Sequence, residues 1–521
     1  MRKMRKNFIS GLSLIVILSL IFALASCSKP TEGGQPTGKP TEAPSETDPA
    51  ETSEPVNEEP VELSILMSGD NTPSEDNIVL QELGRRTNTI IKMTYVPGAD
   101  HATKKSTLAA SNSLPDIFNT SGDEAIEFKE GGFLAEVGDL IYKYAPNIIA
   151  NIGENLEKAP INSDGIYLVL DARLGYIRQL NMRTDWLANL GMELPTDLDS
   201  LYKVLYAFTY NDPDGDGQDD TFGLCANTNP NMFATIFGAY GIPVNCNIEL
   251  EDGTVTIWVK HPKFLEAMEY INKLNKDGLI EPDWATIPTM DMFGKLWNGV
   301  AGAIEWECVG PTNNWMPSRY TEDPVPTFDF PIIKGPDGSH GTPTTYMSLT
   351  SGWAFSSNCK NLEAAVKFAN YCMSEEGNEL LYLGIEGTMY RWIDKEAGQY
   401  ELLGEYKDSA THRASGGWVY WYLFAPTHHT EIRTFNKQTQ EGVALARKIS
   451  IPHVYIATPL QTRLEYGADM DQLINEMYVE MLAADGDLKS IYDRYIGEWE
   501  SIGGTEWEIE ATKAWKAQEG N

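Results

Sequence analysis

The stretch Asn211–Gly223 reads N-D-P-D-G-D-G-Q-D-D-T-F-G. Side chains that offer oxygen atoms fall on alternate positions, and they are Asp212, Asp214, Asp216, Gln218 and Asp220. A hard cation such as Ca²⁺ takes about six to eight oxygen ligands, and glycines, which tolerate positive φ, allow a short loop to wind around one centre. The first part matches an EF-hand calcium loop, but Gly223 stands where that motif needs a bidentate glutamate. The sequence therefore predicts a structural calcium loop, and the alternative is an acidic surface turn without a metal.

The residues around this loop carry a family resemblance. The segment 182–208 and the following Phe222-Gly223-Leu224 fit the pattern DWL..LG...PT.L......L.AF...DPDGDG..DT.GL. This pattern resembles the extracellular solute-binding lipoproteins of bacterial ABC importers, in particular a subgroup that takes up oligosaccharides and carries a calcium loop at this place. The resemblance covers most of the chain after Glu62. It implies that the side chains listed above hold Ca²⁺, with Gln218 using its carbonyl oxygen, while Thr221 stands where some relatives have an acid.

Strands and helices alternate at the start of the folded part. Apolar alternation predicts strands at 61–67, 90–96 and 114–118, with helices at 77–87 and 101–112 between them. Such alternation favours an α/β fold with a parallel sheet covered by helices.

Ligands of open parallel sheets bind beyond the carboxyl ends of the strands. The side chains that follow the first and third predicted strands are Asp70, Asn71, Ser121 and Asp123. We expect them to contact the ligand, and the alternative is that they cap ordinary loops.

The resemblance also implies the domain organisation. It implies a two-lobed α/β periplasmic-binding-protein-like fold, type II-like, with a cleft between the lobes and a hinge of several segments. Residues 61–174 plus 329–392 are predicted to form the N-terminal lobe, and residues 175–328 plus 393–521 the C-terminal lobe. A third crossing between the lobes is expected near 387–392.

The N-terminus predicts a secreted, membrane-anchored protein. Residues 1–26 have a basic start and an apolar stretch ending in small residues, which is typical of a signal peptide. Cys27 follows Leu24-Ala25-Ser26, which resembles a bacterial lipobox and implies lipidation of Cys27; ordinary secretion is the alternative. Residues 27–60 are rich in Pro, Thr, Ser, Glu and Gly and predict a disordered tether. The expected location is the extracellular face of the cytoplasmic membrane.

The charge of the chain restricts its partners. The formal net charge is −35, which disfavours nucleic acid, because nucleic-acid binding depends on neutralising phosphates. Polyanionic ligands are also disfavoured unless a local basic pocket exists. A neutral ligand is the simpler expectation.

Aromatic side chains are candidates for sugar binding, because flat rings cover the apolar face of a pyranose while polar groups bind its hydroxyls. The cleft candidates are Tyr176, Trp306, Trp353, Trp392 and Trp421, with Arg391 as a polar partner. Core packing is the alternative for each ring, and a surface ion pair is the alternative for Arg391. Trp186, Trp499, Trp507 and Trp515 fit helical packing patterns.

Three functions remain open from the residues. The first is the binding subunit of an ABC importer, a monomer that captures oligosaccharides and docks on membrane permease subunits, without catalysis. The second is a secreted glycoside hydrolase or lyase, which would need paired carboxylates; Glu305 and Glu307 flank Trp306 but share one strand. The third is a peptide-binding importer component. The resemblance favours the first.

Overall fold

A computed structural model describes residues 59–69, 73–74, 76–172, 178–307, 321–322, 324–344, 348–420, 422–424 and 437–519. The strands are β1 Val61–Ser68, β2 Thr89–Val96, β3 Ile117–Ser121, β4 Leu168–Leu170, β5 Arg178–Arg183, β6 Phe222–Cys225, β7 Asn247–Glu249, β8 Val255–Ile257, β9 Ala301–Glu307, β10 Phe328–Asp329, β11 Ser351–Phe355, β12 Tyr390–Asp394 and β13 Gln399–Leu402. The helices before residue 280 are α1 Ile78–Thr87, α2 Gly98–Ala110, α3 Gly122–Glu130, α4 Gly138–Tyr144, α5 Pro146–Ile152, α6 Asn155–Lys158, α7 Thr184–Leu190, α8 Leu198–Tyr210, α9 Ala234–Ala239 and α10 Phe264–Lys276. The later helices are α11 Thr289–Trp297, α12 Leu362–Cys372, α13 Glu375–Leu383, α14 Ser409–Ala414, α15 Lys437–Lys448, α16 Gln461–Ala483, α17 Leu488–Trp499 and α18 Thr505–Glu519.

The first sheet has the order β2-β1-β3-β11-β4. Strands β1, β2 and β3 are parallel, and β11 runs antiparallel to both of its neighbours, β3 and β4. The three strands predicted at 61–67, 90–96 and 114–118 are confirmed as parallel members of this sheet, although β3 begins at Ile117. Their apolar residues, such as Leu63, Ile65 and Phe118, are fully buried.

The second sheet has the order β10-β5-β9-β6. Strand β9 pairs antiparallel with β5 and parallel with β6. At the end of β5 the buried guanidinium of Arg183 donates to both carboxylate oxygens of Glu322, each at 2.6 Å. A buried cation needs such partners, so this pair fixes the segment before β10 against β5.

Two separate hydrophobic cores identify the two lobes of this α/β, periplasmic-binding-protein-like fold. One core surrounds the first sheet and the other surrounds the second sheet with helices α16 to α18. Trp186 is fully buried in the second core, as its helical pattern predicts.

Two parts of the chain pack differently from the predicted lobes. Ile333 lies in the second core, although the predicted boundary assigns it to the N-terminal lobe. Val419, Tyr420 and Phe424 lie in the first core, although the boundary at 392 assigns them to the C-terminal lobe. The predicted third crossing near 387–392 is therefore too early. Residues 390–402 form the hairpin β12–β13 instead, and the chain passes to the second core between Phe424 and Val454.

The segments that link the lobes are hydrogen-bonded to one another. Thr342, between β10 and β11, donates its hydroxyl to the carbonyl of Arg178 at 2.8 Å. The Thr342 carbonyl accepts from the amide of Ile451 at 2.7 Å, and the Ile451 carbonyl accepts from Thr344 at 2.9 Å. Arg178 belongs to the first link and Ile451 to the third, so the second link joins both.

Within the described residues, no helix combines the length and apolar character needed to cross a membrane.

Candidate functional site

A cavity of about 510 Å³ lies at the edge of the first sheet where β1 and β3 end. Ser68 and Ser121 are the last residues of those strands, and both line it. The start of β11 reaches the same edge, because Ser351 pairs with Ser121. This is the crevice in which open parallel sheets bind ligands, and we call it the sheet-edge cavity.

Aromatic rings form one wall of the sheet-edge cavity. Trp353 in β11 and Tyr422 both line it, with ring centroids 6.5 Å apart and planes at 27°. Phe424 stacks on Trp353 at 5.2 Å. Trp353 is only 2% exposed, so it contributes a rigid apolar wall rather than a free platform.

An ion pair between α2 and α3 forms another part of the wall. The buried Lys105 ammonium donates to the Asn119 carbonyl at 3.0 Å and to the Glu124 carboxylate. Glu124 also accepts from the Thr120 hydroxyl at 2.8 Å. These bonds hold both charged groups in one orientation.

His101 of α2 also lines the cavity and is 7% exposed. Burial, together with the charge of Lys105, lowers the pKa of His101 to about 4, so the imidazole is neutral at pH 7. Its Nε2 atom and the Oδ1 atom of Asn119 are buried without a hydrogen-bond partner among the described residues.

The structure brings two of the predicted ligand residues, Ser121 and Trp353, to this cavity. Asp123 lies in the first turn of α3, and its side chain is outside the description. The predicted residues Asp70, Asn71, Tyr176 and Trp421, and the predicted lipidation site Cys27, lie outside the described residues.

Sequence reasoning missed His101, Lys105 and Glu124. All three lie on helices that follow strands of the sheet: His101 and Glu124 near the helix starts, and Lys105 about one turn after His101. The sequence contained a signal for Glu124, since it follows the predicted ligand residue Ser121 by about one helical turn. The prediction stopped at the turn residues and did not extend into the helices.

A second cavity, of about 580 Å³, lies between the lobes. Gly122 and Ala125 of α3 line it from the first lobe. From the second lobe it is lined by indole rings and polar groups, including Trp258, Trp499, Trp507, Arg463 and Asn245. Trp499 and Trp507 are at most 5% exposed and pack edge to face, which agrees with their predicted packing role. Ser121 lines the sheet-edge cavity and Gly122 lines the cavity between the lobes. The two cavities therefore meet at the start of α3.

Trp306 lies in the second lobe, on β9. It packs edge to face on Phe293 at 4.8 Å, and the Arg178 guanidinium lies 4.8 Å from its ring centroid. Trp306 is partly buried against the second core, so the structure does not place it on either cavity wall.

Glu305, the neighbour of Trp306, points into the second lobe. It accepts from the Thr235 amide at 3.2 Å and from its hydroxyl at 3.1 Å. Burial raises the pKa of Glu305 to about 7. The carboxyl is 1% exposed and cannot reach a substrate as half of a catalytic pair.

Arg391 and Trp392 lie on the hairpin β12–β13. Arg391 is exposed and pairs with Glu401, which is the alternative that the sequence left open. Trp392 packs edge to face on Tyr390 at 5.7 Å and on Tyr400 at 6.0 Å. Neither residue is among those that line the two cavities.

The acidic loop after α8 gathers three carboxylates. Oxygen atoms of Asp212, Asp214 and Asp216 lie within 4.8 Å of one another. Burial and the neighbouring charges of Asp216 and Asp212 raise the pKa of Asp214, which is the effect of like charges held close together. This donor set fits a hard cation.

The predicted fourth and fifth ligands do not join this group. The amide nitrogen of Gln218 donates to Asp216 at 2.6 Å, so its nitrogen, rather than the predicted carbonyl oxygen, faces the carboxylates. Asp220 is exposed and lies outside the group of three.

Comparison with known proteins identifies relatives along most of the chain. Lipoprotein LipO of Bacillus subtilis is 25% identical over 467 residues, covering 84% of this chain and 88% of LipO. The polygalacturonan/rhamnogalacturonan-binding protein YtcQ of Bacillus subtilis is 27% identical over 466 residues, covering 85% of this chain and 89% of YtcQ.

Solved structures share the fold. The Streptococcus pneumoniae ABC-transporter substrate-binding protein FusA in complex with kestose superposes with a TM-score of 0.66, at 20% identity, over 88% of this chain and all of FusA. The alginate-binding protein AlgQ2 without calcium ion superposes with a TM-score of 0.69, at 19% identity, over 88% of this chain and 99% of AlgQ2.

The model of the family described as bacterial extracellular solute-binding protein matches residues 69–379. This match spans both sheets apart from β1, and it includes the acidic loop and most of the residues that line the sheet-edge cavity. The chain belongs to the bacterial extracellular solute-binding proteins, the non-catalytic substrate-binding components of ABC importers.

Proposed function

We propose that this chain captures oligosaccharides outside the cell and delivers them to a membrane permease. The observation that carries the proposal is the sheet-edge cavity, which combines the indole wall of Trp353 with polar groups from β3, α2 and α3. Sugars need this combination, because a pyranose has an apolar face and a rim of hydroxyls. The names of FusA with kestose and of YtcQ with polygalacturonan and rhamnogalacturonan support a carbohydrate ligand.

The ligand is proposed to extend from the sheet-edge cavity toward the cavity between the lobes. The two cavities meet at Ser121 and Gly122, so one chain of sugar residues can occupy both. Residues of both lobes line the second cavity, so a ligand there would favour the closed arrangement of the lobes. Asp70, Asn71, Asp123, Tyr176 and Trp421 are proposed further contacts.

We also propose a structural calcium ion and a lipid anchor. Asp212, Asp214 and Asp216 would hold Ca²⁺, with Asp220 and a reoriented Gln218 completing the site. The calcium-free form named for AlgQ2 supports an ion in this fold. Cys27 would carry the lipid, which the name of the relative LipO supports.

Isothermal titration of the full-length chain against neutral oligosaccharides, acidic oligosaccharides and short peptides tests the proposal. Saturable binding of a sugar, recovered unchanged by chromatography, is the expected result. Binding of peptides alone would favour the peptide importer, and release of shorter sugars would favour a hydrolase.

A further inference from the structure

The charges around the sheet-edge cavity do not form a basic site. Among its described lining residues, the charged side chains are Lys105, Glu124 and Asp171. His101 is neutral at pH 7 because its pKa is lowered to about 4. The lining therefore carries one more negative than positive charge.

The one lysine of this lining does not offer its charge to a ligand. Lys105 is 4% exposed, and its ammonium donates to the Asn119 carbonyl and to Glu124. A ligand carboxylate would have to displace these bonds, and breaking a buried ion pair is costly.

Glu124 is an acceptor that is already oriented. One of its oxygens, Oε2, accepts from both Lys105 and the Thr120 hydroxyl. Its side chain is 25% exposed, and among the described residues the hydrogen-bond donors to Glu124 use Oε2, not Oε1. A ligand hydroxyl can donate to this oxygen, and a charge-assisted hydrogen bond to a fixed carboxylate is stronger than a neutral one.

Two further atoms in the wall lack partners. His101 Nε2 and Asn119 Oδ1 are buried without a hydrogen-bond partner among the described residues. The amide oxygen is an acceptor, and the imidazole nitrogen is an acceptor or a donor depending on the tautomer. A group with several hydroxyls supplies the donors that such a wall needs, whereas an ionised carboxylate supplies none.

We infer that Glu124, held by Lys105 and Thr120, makes the sheet-edge cavity select uncharged, hydroxyl-rich sugars and reject sugar acids. This inference rests on the proposed capture of oligosaccharides and names the chemical class of sugar. Glu124 acts as the specificity-determining contact, and Lys105 and Thr120 act as positioning residues.

Titration calorimetry of the full-length chain provides the first test. The probes are neutral gluco-, xylo-, galacto- and fructo-oligosaccharides of two to four units, with oligogalacturonates and oligomannuronates of the same lengths. The best neutral sugar should bind at least about tenfold more tightly than any acidic one, a ratio typical of one charged hydrogen bond gained or lost. Equal or tighter binding of an acidic sugar would overturn the inference and leave the capture of oligosaccharides intact.

Variants on α3 provide the second test. Glu124→Gln should weaken the best neutral sugar by about ten- to a hundredfold and reduce the neutral-to-acidic ratio. The matched control is Glu127→Gln, an exposed residue one turn further along the same helix that does not line the cavity; it should change neither quantity.

The double variant Lys105→Gln/Glu124→Gln guards against misfolding, because it removes both charges of the buried pair together. It should keep a cooperative thermal transition and show the reduced ratio. An unchanged ratio in a folded variant would overturn the inference. If no sugar of either class binds the wild-type chain, both this inference and the proposed function are wrong.

Discussion

At the scale of the residue, Glu305 is a carboxyl group whose burial opposes its charge. Its pKa is raised to about 7 by burial, whereas the unfolded chain loses this proton near pH 4.5. The folded state therefore holds the proton more tightly between these values, and the stability that this group contributes is lost as the pH rises through them.

We expect Glu305→Gln to stabilise the protein at pH 8 and to have little effect at pH 4.5. The glutamine oxygen still accepts from Thr235, and the cost of a buried charge disappears. A shift of this size corresponds to roughly 3 kcal/mol at pH 8. Thermal unfolding at both pH values measures the effect, with exposed Glu269→Gln as the control. Equal stability of wild type and Glu305→Gln at pH 8 would contradict the expectation.

His412 gives the opposite pH dependence. It is fully buried beside Trp418, with ring centroids 4.3 Å apart, and burial together with the Arg413 charge lowers its pKa to about 4. The unfolded chain takes up a proton near pH 6.5, so the contribution of His412 to stability is present above that value and is lost as the pH falls toward 4.

The variant His412→Gln should therefore lose less stability than the wild type between pH 6.5 and 4. The difference should reach roughly 3 kcal/mol at the acidic end. Chemical denaturation at a series of pH values checks this, and His340→Gln, in the turn at 335–340, serves as the control. Parallel pH profiles for His412→Gln and wild type would count against it.

At the scale of the element, the acidic loop after α8 should respond to calcium. If Ca²⁺ binds Asp212, Asp214 and Asp216 in the folded state only, calcium at a hundred times its dissociation constant adds about 2.7 kcal/mol of stability. Differential scanning calorimetry with added Ca²⁺ and with a chelator measures this difference.

The variant Asp214→Asn should abolish most of the calcium effect, since it removes the central carboxylate. Asp219→Asn changes a neighbouring acid that the prediction does not count as a ligand, and it should retain the effect. A melting temperature that is the same with calcium and with chelator would show that the loop is an acidic surface turn.

The link between β10 and β11 contains a glycine that no other residue can replace without strain. Gly341 has φ of +108°, and a Cβ there would lie 1.8 Å from the Ile449 carbonyl oxygen. We expect Gly341→Ala to destabilise the protein by more than 3 kcal/mol and to weaken ligand binding, because a backbone clash adds to the cost of positive φ, about 1–2 kcal/mol.

Gly338→Ala is the matched control for this link. Gly338 also has positive φ, +85°, but a Cβ there meets no atom within 4 Å. It should therefore show the cost of the backbone conformation alone. If both variants melt at the same temperature, the close approach to Ile449 has no energetic importance.

At the scale of the whole molecule, local patterns predicted the elements well and the lobe boundaries less well. Strand β1 and helix α1 were predicted to within about one residue, because apolar periodicity and the cap at Asn77 are local signals. Helix α2 begins at Gly98, three residues before the predicted start at His101, since it follows Pro97 and has no side-chain cap to mark its start.

The candidate site was predictable where it depends on strand ends and not where it depends on distant packing. Ser121 follows directly from the end of β3. The sequence does not predict that Val419, Tyr420 and Phe424 pack in the first core. Their packing depends on contacts between residues far apart in sequence, such as the hydrogen bond from the Asn77 amide to the Tyr420 hydroxyl. The partners of Arg391 and Trp392 likewise come from a hairpin that the sequence pattern did not reveal.

The hydrogen bonds of Thr342 restrict how the two lobes can move relative to each other. Because the second link is joined to Arg178 at the end of the first link and to Ile451 near the end of the third, sliding of one lobe along the other would break all of these bonds together. Rocking about a single axis through Thr342 would preserve them. If each lobe moves as a rigid body, a small rotation about Thr342 displaces the parts of the lobes farthest from it by a much larger distance. A transporter in the membrane that contacts those parts can distinguish the ligand-bound protein from the ligand-free one.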